Sequence, residues 1–223
     1  MRHVFVETNW VVGYAAPAHH KDSTAVELLA RARAGELMLH LPALCLVEAR
    51  HPILKLQPRH EADAIRDFLP WARARGRIDA AEEQAVRRVL NMYESRIGEE
   101  LRRLHEFLVE VRNIPQVEVF PMNDRMLRLA TELVDLRLGL KPFDLSILAA
   151  ILGRASELLE AGEHSLAFCE LDADLQPWDR ILQPREPLQS LYQERHVWVY
   201  EDFTLQSPIS PESWDAPTPS RPS

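Results

Sequence analysis

Five short apolar runs punctuate the chain: Val4-Phe5-Val6, Leu37–Leu41 (LMLHL), Val117–Phe120 (VEVF), Ser165–Glu170 (SLAFCE) and His196–Tyr200 (HVWVY). Continuous rather than alternating, and rich in β-branched and aromatic residues, they have the pattern of strands buried on both faces. Between them apolar positions recur every three or four residues. That spacing predicts a helix over His20–Ala34, with Val26, Leu28, Leu29 and Ala32 inward and Asp22 or Ser23 as cap. Pro42 opens another helix, with Leu44, Val47 and Glu48 on nearly one face, ended by His51-Pro52. A third starts at Asn123 or Asp124 and runs through Leu138, with Leu127, Ala130, Val134 and Leu138 inward and Gly139 as stop. The most apolar begins at Pro142 and carries Ile147, Leu148, Ile151, Leu152, Ala155 and Leu159. Strands alternating with helices predict an α/β domain with a parallel sheet.

The stretch from Lys55 to Arg112 breaks this alternation. It has no strand signal, dense Arg and Glu, and helical spacing in Ile65, Phe68 and Leu69, in Val86, Val89, Leu90 and Tyr93, and in Leu101, Leu104 and Leu108. It reads as a helical arm turning at Arg75–Asp79. The expected organisation is one domain over residues 1–205 with the arm (55–112) inside it. A tail over 206–223, with Pro208, Pro211, Pro217 and Pro222 among Ser and Thr, has too few apolar residues to fold alone. The leucine stripe of the arm exceeds what a small domain covers, which predicts a homodimer.

Net charge over the 223 residues is −8, against a general nucleic-acid-coating role. The balance is uneven: residues 50–112 hold 13 Lys/Arg against 11 Asp/Glu, and the remainder 13 against 23. Arginine supplies 23 of the 26 basic residues, suited to planar pairing with phosphates. Most of the arm's arginines sit three or four residues from a glutamate, where they stabilise a solvated helix. Arg73, Arg75 and Arg77, crowded around Gly76, are the better candidates for contact with RNA phosphates. No apolar run approaches the roughly 20 residues that span a bilayer, and the start lacks a basic segment followed by an apolar one. With two lone cysteines, Cys45 and Cys169, a cytoplasmic, membrane-free protein is expected. No His/Cys spacing suits zinc, and there is no glycine-rich phosphate loop, serine nucleophile elbow or internal repeat.

Acids gather where the strands end. Glu7 follows the first strand, Asp172 and Asp174 follow the fourth, and Glu48 and Asp144 lie on helices that can start from the same edge. In open α/β sheets this carboxyl edge is where ligands bind. Each acid alone has an ordinary role: Glu7 beside a cap at Thr8 or Asn9, Glu48 on a surface, Asp144 in a first turn where the helix dipole favours its ionised form. Together they repel, and a shared cleft needs a divalent cation to keep them ionised. For an all-oxygen set that cation is Mg²⁺ or Mn²⁺.

FVETN at the start, LCLVEA after the second strand, the run VEVFPMNDRMLRLATELVDLRLGLKPFDLSILAAI, and FCELDAD occur in this order over roughly 1–55 and 116–175. In these motifs the chain resembles the PIN-domain ribonucleases, close to the toxin members of toxin–antitoxin pairs. The resemblance implies a Rossmannoid three-layer sandwich around a parallel sheet of about five strands in the order 3-2-1-4-5. It also implies Mg²⁺- or Mn²⁺-dependent hydrolysis of RNA phosphodiesters. Glu7, Glu48, Asp144 and Asp172 would be the catalytic and metal-holding acids, with Asn9 and Asp174 auxiliary. A homodimer and an antitoxin or other protein partner are implied in the same way. Three features depart from the pattern. Glu7 stands where the family has aspartate, Glu170 stands where Ser or Thr is common, and the arm is enlarged. The alternative reading is a PIN-fold protein with weakened or lost catalysis that binds RNA or protein. A dehalogenase-like phosphatase needs an aspartate nucleophile where Glu7 stands, which argues against it.

Overall fold

A computed structural model describes residues 1–15, 21–49, 59–179, 181 and 183–206. The helix end at His51-Pro52, the first residues of the arm and residues 207–223 of the tail lie outside the described residues. Five parallel strands form one sheet in the order β3-β2-β1-β4-β5: β1 (Arg2–Phe5), β2 (Leu37–Pro42), β3 (Val117–Phe120), β4 (Leu166–Cys169) and β5 (Val197–Tyr200). The sheet type and the strand order are those the sequence implied. β1 is central, and Val4, Phe5 and Val6 are wholly buried. Burying each such side chain contributes about 1.5–3 kcal/mol, so the first strand anchors the core.

Helices α1 (Thr8–Ala15), α2 (Ser23–Arg33) and α3 (Ala43–Glu48) follow the first two strands. Asp22 caps α2, accepting from the N–H groups of Thr24 and Ala25 at 2.8 and 3.4 Å. The arm is a hairpin of α4 (Arg59–Ala74) and the 32-residue α5 (Ala80–Val111). Asp79 and Glu82 close a capping box at the start of α5. Gly76 makes the turn at φ +60°, a conformation that costs glycine little. The arm's leucine stripe is not exposed as expected: Leu104, Phe107 and Val111 are buried in the main core, and Leu101 and Leu108 pack against it. Phe107 meets Trp10 and Tyr14 of α1 at ring separations of 5.8 and 4.4 Å. The last turns of α5 therefore belong to the body of the domain, and only its first part projects with α4.

On the other face lie α6 (Asp124–Asp135) and α7 (Pro142–Glu160). α7 is buried almost throughout, from Leu145 to Leu152. α6 turns Met126 and Leu133 inward and leaves Leu127 and Val134 exposed; of the stripe the sequence suggested, Ala130 and Leu138 pack against the core. A short helix absent from the sequence reading, α8 (Leu188–Gln193), precedes β5. No helix of the described residues is long and apolar enough to cross a membrane.

Under α7 the sheet carries a polar row. His3 and His40 share a hydrogen bond of 2.8 Å between Nδ1 and Nε2, and His40 Nδ1 lies 2.6 Å from Glu118 Oε2. A carboxylate only accepts, so His40 donates to Glu118 from Nδ1, and on the far side of the pair His3 Nε2 lies 3.1 Å from Glu163 Oε2. Arg154 of α7 grips Glu118 through two hydrogen bonds, at 2.7 and 3.1 Å. The hydrogen bond from His40 holds Glu118 below the ordinary glutamate range; burial, aided by His40, holds His3 below the ordinary histidine value. Glu118→Ala removes the acceptor of His40 Nδ1 and one of the two carboxylates that hold Arg154, the other being Glu157. It should cost about 1–3 kcal/mol, read from urea unfolding at pH 7. An unchanged midpoint would show that water replaces the carboxylate without loss.

Candidate active site at the carboxyl edge of the sheet

Glu7 lies two residues beyond β1, in the bend that starts α1. Its backbone carbonyl accepts from Trp10 and Val11 N–H, and its Oε1 accepts the Asn9 N–H at 2.8 Å. The side chain is 6% exposed, so the bend places a carboxylate in the core. Burial pushes its pKa up to about 8, with the charges of Glu48 and Asp172 adding and the backbone N–H groups of Asn9 and Thr8 opposing. Asn9 acts here through its backbone N–H. The side-chain contact comes from Thr8, whose Oγ donates to Glu48 Oε2. Cys45, one turn before Glu48, is buried beside them, and its thiol is pushed well up by burial and by the charges of Glu7 and Glu48.

The strand next to β1 repeats this design. β4 pairs with β1 in the register Val4↔Ala167 and Phe5↔Phe168; two residues further along, Glu7 stands opposite Glu170. Neighbouring strands are about 4.8 Å apart, and the charge of Glu7 acts on Glu170. Glu170 is 1% exposed. Its Oε1 accepts the Asp172 N–H at 2.6 Å, while Oε2 is buried with no hydrogen-bond partner among the described residues. Burial and the charges of Glu7, Asp172 and Asp144 raise its pKa well above the ordinary value. The sequence reading treated Glu170 only as a departure from a family pattern. The signal available was a shared ending: HVFVE and LAFCE are both apolar runs closed by glutamate.

Asp172 and Asp174 lie on the turn after β4, where Asp172 Oδ1 accepts the Asp174 N–H at 3.2 Å. Asp144 comes to them from above, in the first turn of α7 behind Pro142 at its first position. Its pKa is raised, first by burial and then by Asp174 and Asp172, against the opposing charge of Lys141. Lys141, whose Nζ stands 4.0 Å from Asp174 Oδ2, is a cation at this edge that sequence reasoning passed over.

Glu7, Glu48, Asp144, Asp172 and Asp174 are thereby coupled electrostatically, with Glu170 added. Arg73, Arg75 and Arg77 are far from them, at the tip of the arm. Comparison with family models, curated proteins and solved structures gives no match.

The donor chemistry at this edge suits a hard divalent cation: oxygen ligands only, two of them buried carboxylates, one with an unpartnered oxygen. As the side chains stand, no three His, Cys, Asp or Glu residues among those described form a group that could hold a metal ion. Glu7 and Glu170 instead turn one oxygen each onto the N–H two residues ahead.

Proposed function

We propose that this chain is a Mg²⁺- or Mn²⁺-dependent endoribonuclease acting at the carboxyl edge of its sheet. The observation that carries the proposal is the density of mutually destabilised carboxyls there, with Glu7 lifted to about 8. Crowded carboxyls of this kind favour a divalent cation, whose charge relieves their repulsion. Glu7, Asp144 and Asp172 would hold the ion, with Glu48 completing the set and Glu170 within reach of the same space. A bound Mg²⁺ or Mn²⁺ supplies Lewis acidity toward a phosphodiester and a water.

The chain's own residues do the positioning. Thr8 fixes Glu48, the N–H groups of Asn9 and Asp172 fix Glu7 and Glu170, and Asp174 holds the Asp172 turn through its N–H. Lys141, 78% exposed, is placed to meet a phosphate oxygen that arrives beside Asp144. With no cation bound, Glu7 keeps its proton near neutral pH; binding a cation displaces it, so affinity for metal rises with pH.

A second reading is a non-catalytic PIN-like module. Favouring it, both buried glutamates already satisfy one oxygen on their own backbone. Metal removal separates the two. Purified protein should cleave single-stranded RNA with Mg²⁺ or Mn²⁺, lose that cleavage in EDTA, and recover it when the metal is restored. Equal cleavage in EDTA refutes the metal-dependent mechanism, and absence of cleavage with both metals favours the binding module. The RNA-degrading toxin role, a homodimer and an antitoxin partner belong to the same proposal and depend on its outcome.

A further inference from the structure

The inner side of α4 is satisfied within the hairpin, where Ala62 and Leu69 pack on Leu90 with Ile78 and Tyr93 alongside. Phe68 and Trp71 lie outside this contact and are 53% and 51% exposed. Their rings sit together, centroids 5.4 Å apart, and the Arg75 guanidinium carbon lies 5.5 Å from the Trp71 ring centroid. The carboxylates of the turn are consumed internally. Asp79 and Glu82 cap α5, and Glu83 accepts from Arg73 and Arg87. Arg75 and Arg77 are exposed and make no ion pair among the described residues. The tip therefore presents two adjoining exposed rings, with the Arg75 guanidinium over one of them and Arg77 exposed across the Gly76 turn.

We propose that Phe68, Trp71, Arg75 and Arg77 form a single-strand RNA platform, bases stacking on the rings and phosphates meeting the arginines. The inference deepens the nuclease reading and rests on it for the choice of RNA. Aromatic faces flanked by cations are the general means of holding single strands without sequence preference. Charge supports the same occupant. The acid edge repels a polyanion, whereas residues 71–78 at the tip hold three arginines and no acid in a chain of −8. α5 crosses over between β2 and β3, which are parallel, so its first half extends beyond the carboxyl edge. Ala80 is 24 residues before Leu104, which is buried in the body, or roughly 36 Å along the helix. An RNA held at the tip approaches the acids from the side on which the strands end.

The test is fluorescence anisotropy with labelled oligouridylate and the full chain carrying Asp144→Asn, so that binding is read without cleavage. Adding Phe68→Ala and Trp71→Ala together should weaken binding roughly 10- to 100-fold, with Trp71→Phe keeping most of the affinity. Arg75→Glu with Arg77→Glu should weaken binding and reduce the salt slope by roughly 1.4. These positions are exposed, and an unchanged melting temperature checks that folding is intact. Unchanged affinity in the aromatic double variant overturns the platform, as does duplex RNA binding as tightly as single strands. Light scattering that shows a dimer dissolved by the aromatic variant, with RNA affinity unchanged, assigns the face to self-association instead. A protein that binds through the tip but never cleaves refutes the nuclease reading and leaves the platform standing. One that cleaves with affinity indifferent to the tip does the reverse.

Discussion

Glu7→Gln raises the melting temperature of the metal-free protein at pH 8 and leaves it almost unchanged at pH 4. The Glu7 pKa stands at about 8 in the fold against an ordinary 4.5. Below 4.5 the group is protonated in both folded and unfolded chains, and its burial costs no ionisation energy. Between 4.5 and 8 the unfolded chain releases the proton while the fold retains it, so stability falls as pH rises, levelling above 8. Glutamine preserves the shape and the acceptor for the Asn9 N–H, and removes the titration. The gain at pH 8 should be on the order of 2–4 kcal/mol, or roughly 5–10 °C in a domain of this size. Glu170→Gln acts in the same direction. The double variant should gain less than the sum, because the charge of Glu7 is among the causes that raise Glu170. A melting temperature at pH 8 below that of the wild type would show that Glu7 is stabilised in its ionised form by a partner.

Asp144→Asn lowers RNA cleavage by at least about 100-fold, equivalent to about 3 kcal/mol of barrier, with the fold intact. Asparagine has nearly the volume of aspartate, and the position is already shaped by Pro142 and the first turn of α7. What is lost is a negative charge facing Asp172 and Asp174. Removing it relieves repulsion, so the variant should melt at the same temperature or slightly higher. Single-turnover cleavage of RNA with Mg²⁺ or Mn²⁺ measures the effect, and full metal-dependent activity in the variant would refute the assigned role of Asp144. If the wild type is inactive, Glu7→Asp is the decisive companion. Shortening the side chain by one methylene restores the first acid of the PIN pattern, and the appearance of metal-dependent cleavage would show that the extra length had silenced the site.

How far the sequence reached depended on the range of the forces involved. Buried strands are largely continuous apolar runs because a parallel sheet covered on both faces hides most of its side chains from water. Val4–Val6, LMLHL, VEVF, SLAFCE and HVWVY are therefore legible locally, as are the Asp22 cap and the turn at Gly76. The positions of Glu7, Asp172 and Asp174 beyond strand ends follow from the same runs. Strand order came from the family resemblance, because no single run says which neighbour it will take.

Tertiary structure decided the rest. The adjacency of Glu7 and Glu170 is set by the register of β1 on β4, between residues 163 positions apart in the chain. The His3–His40–Glu118–Arg154 row likewise joins three strands and a helix. Leu104 is a core residue because α5 lies against α1, although its spacing alone equally suits an exposed seam. Phe68, in the same helical pattern as Leu69, is left in solvent together with Trp71 by the way α4 rotates onto Leu90. Periodicity says that a helix has an apolar side; what covers that side is fixed only when distant segments meet and exclude water.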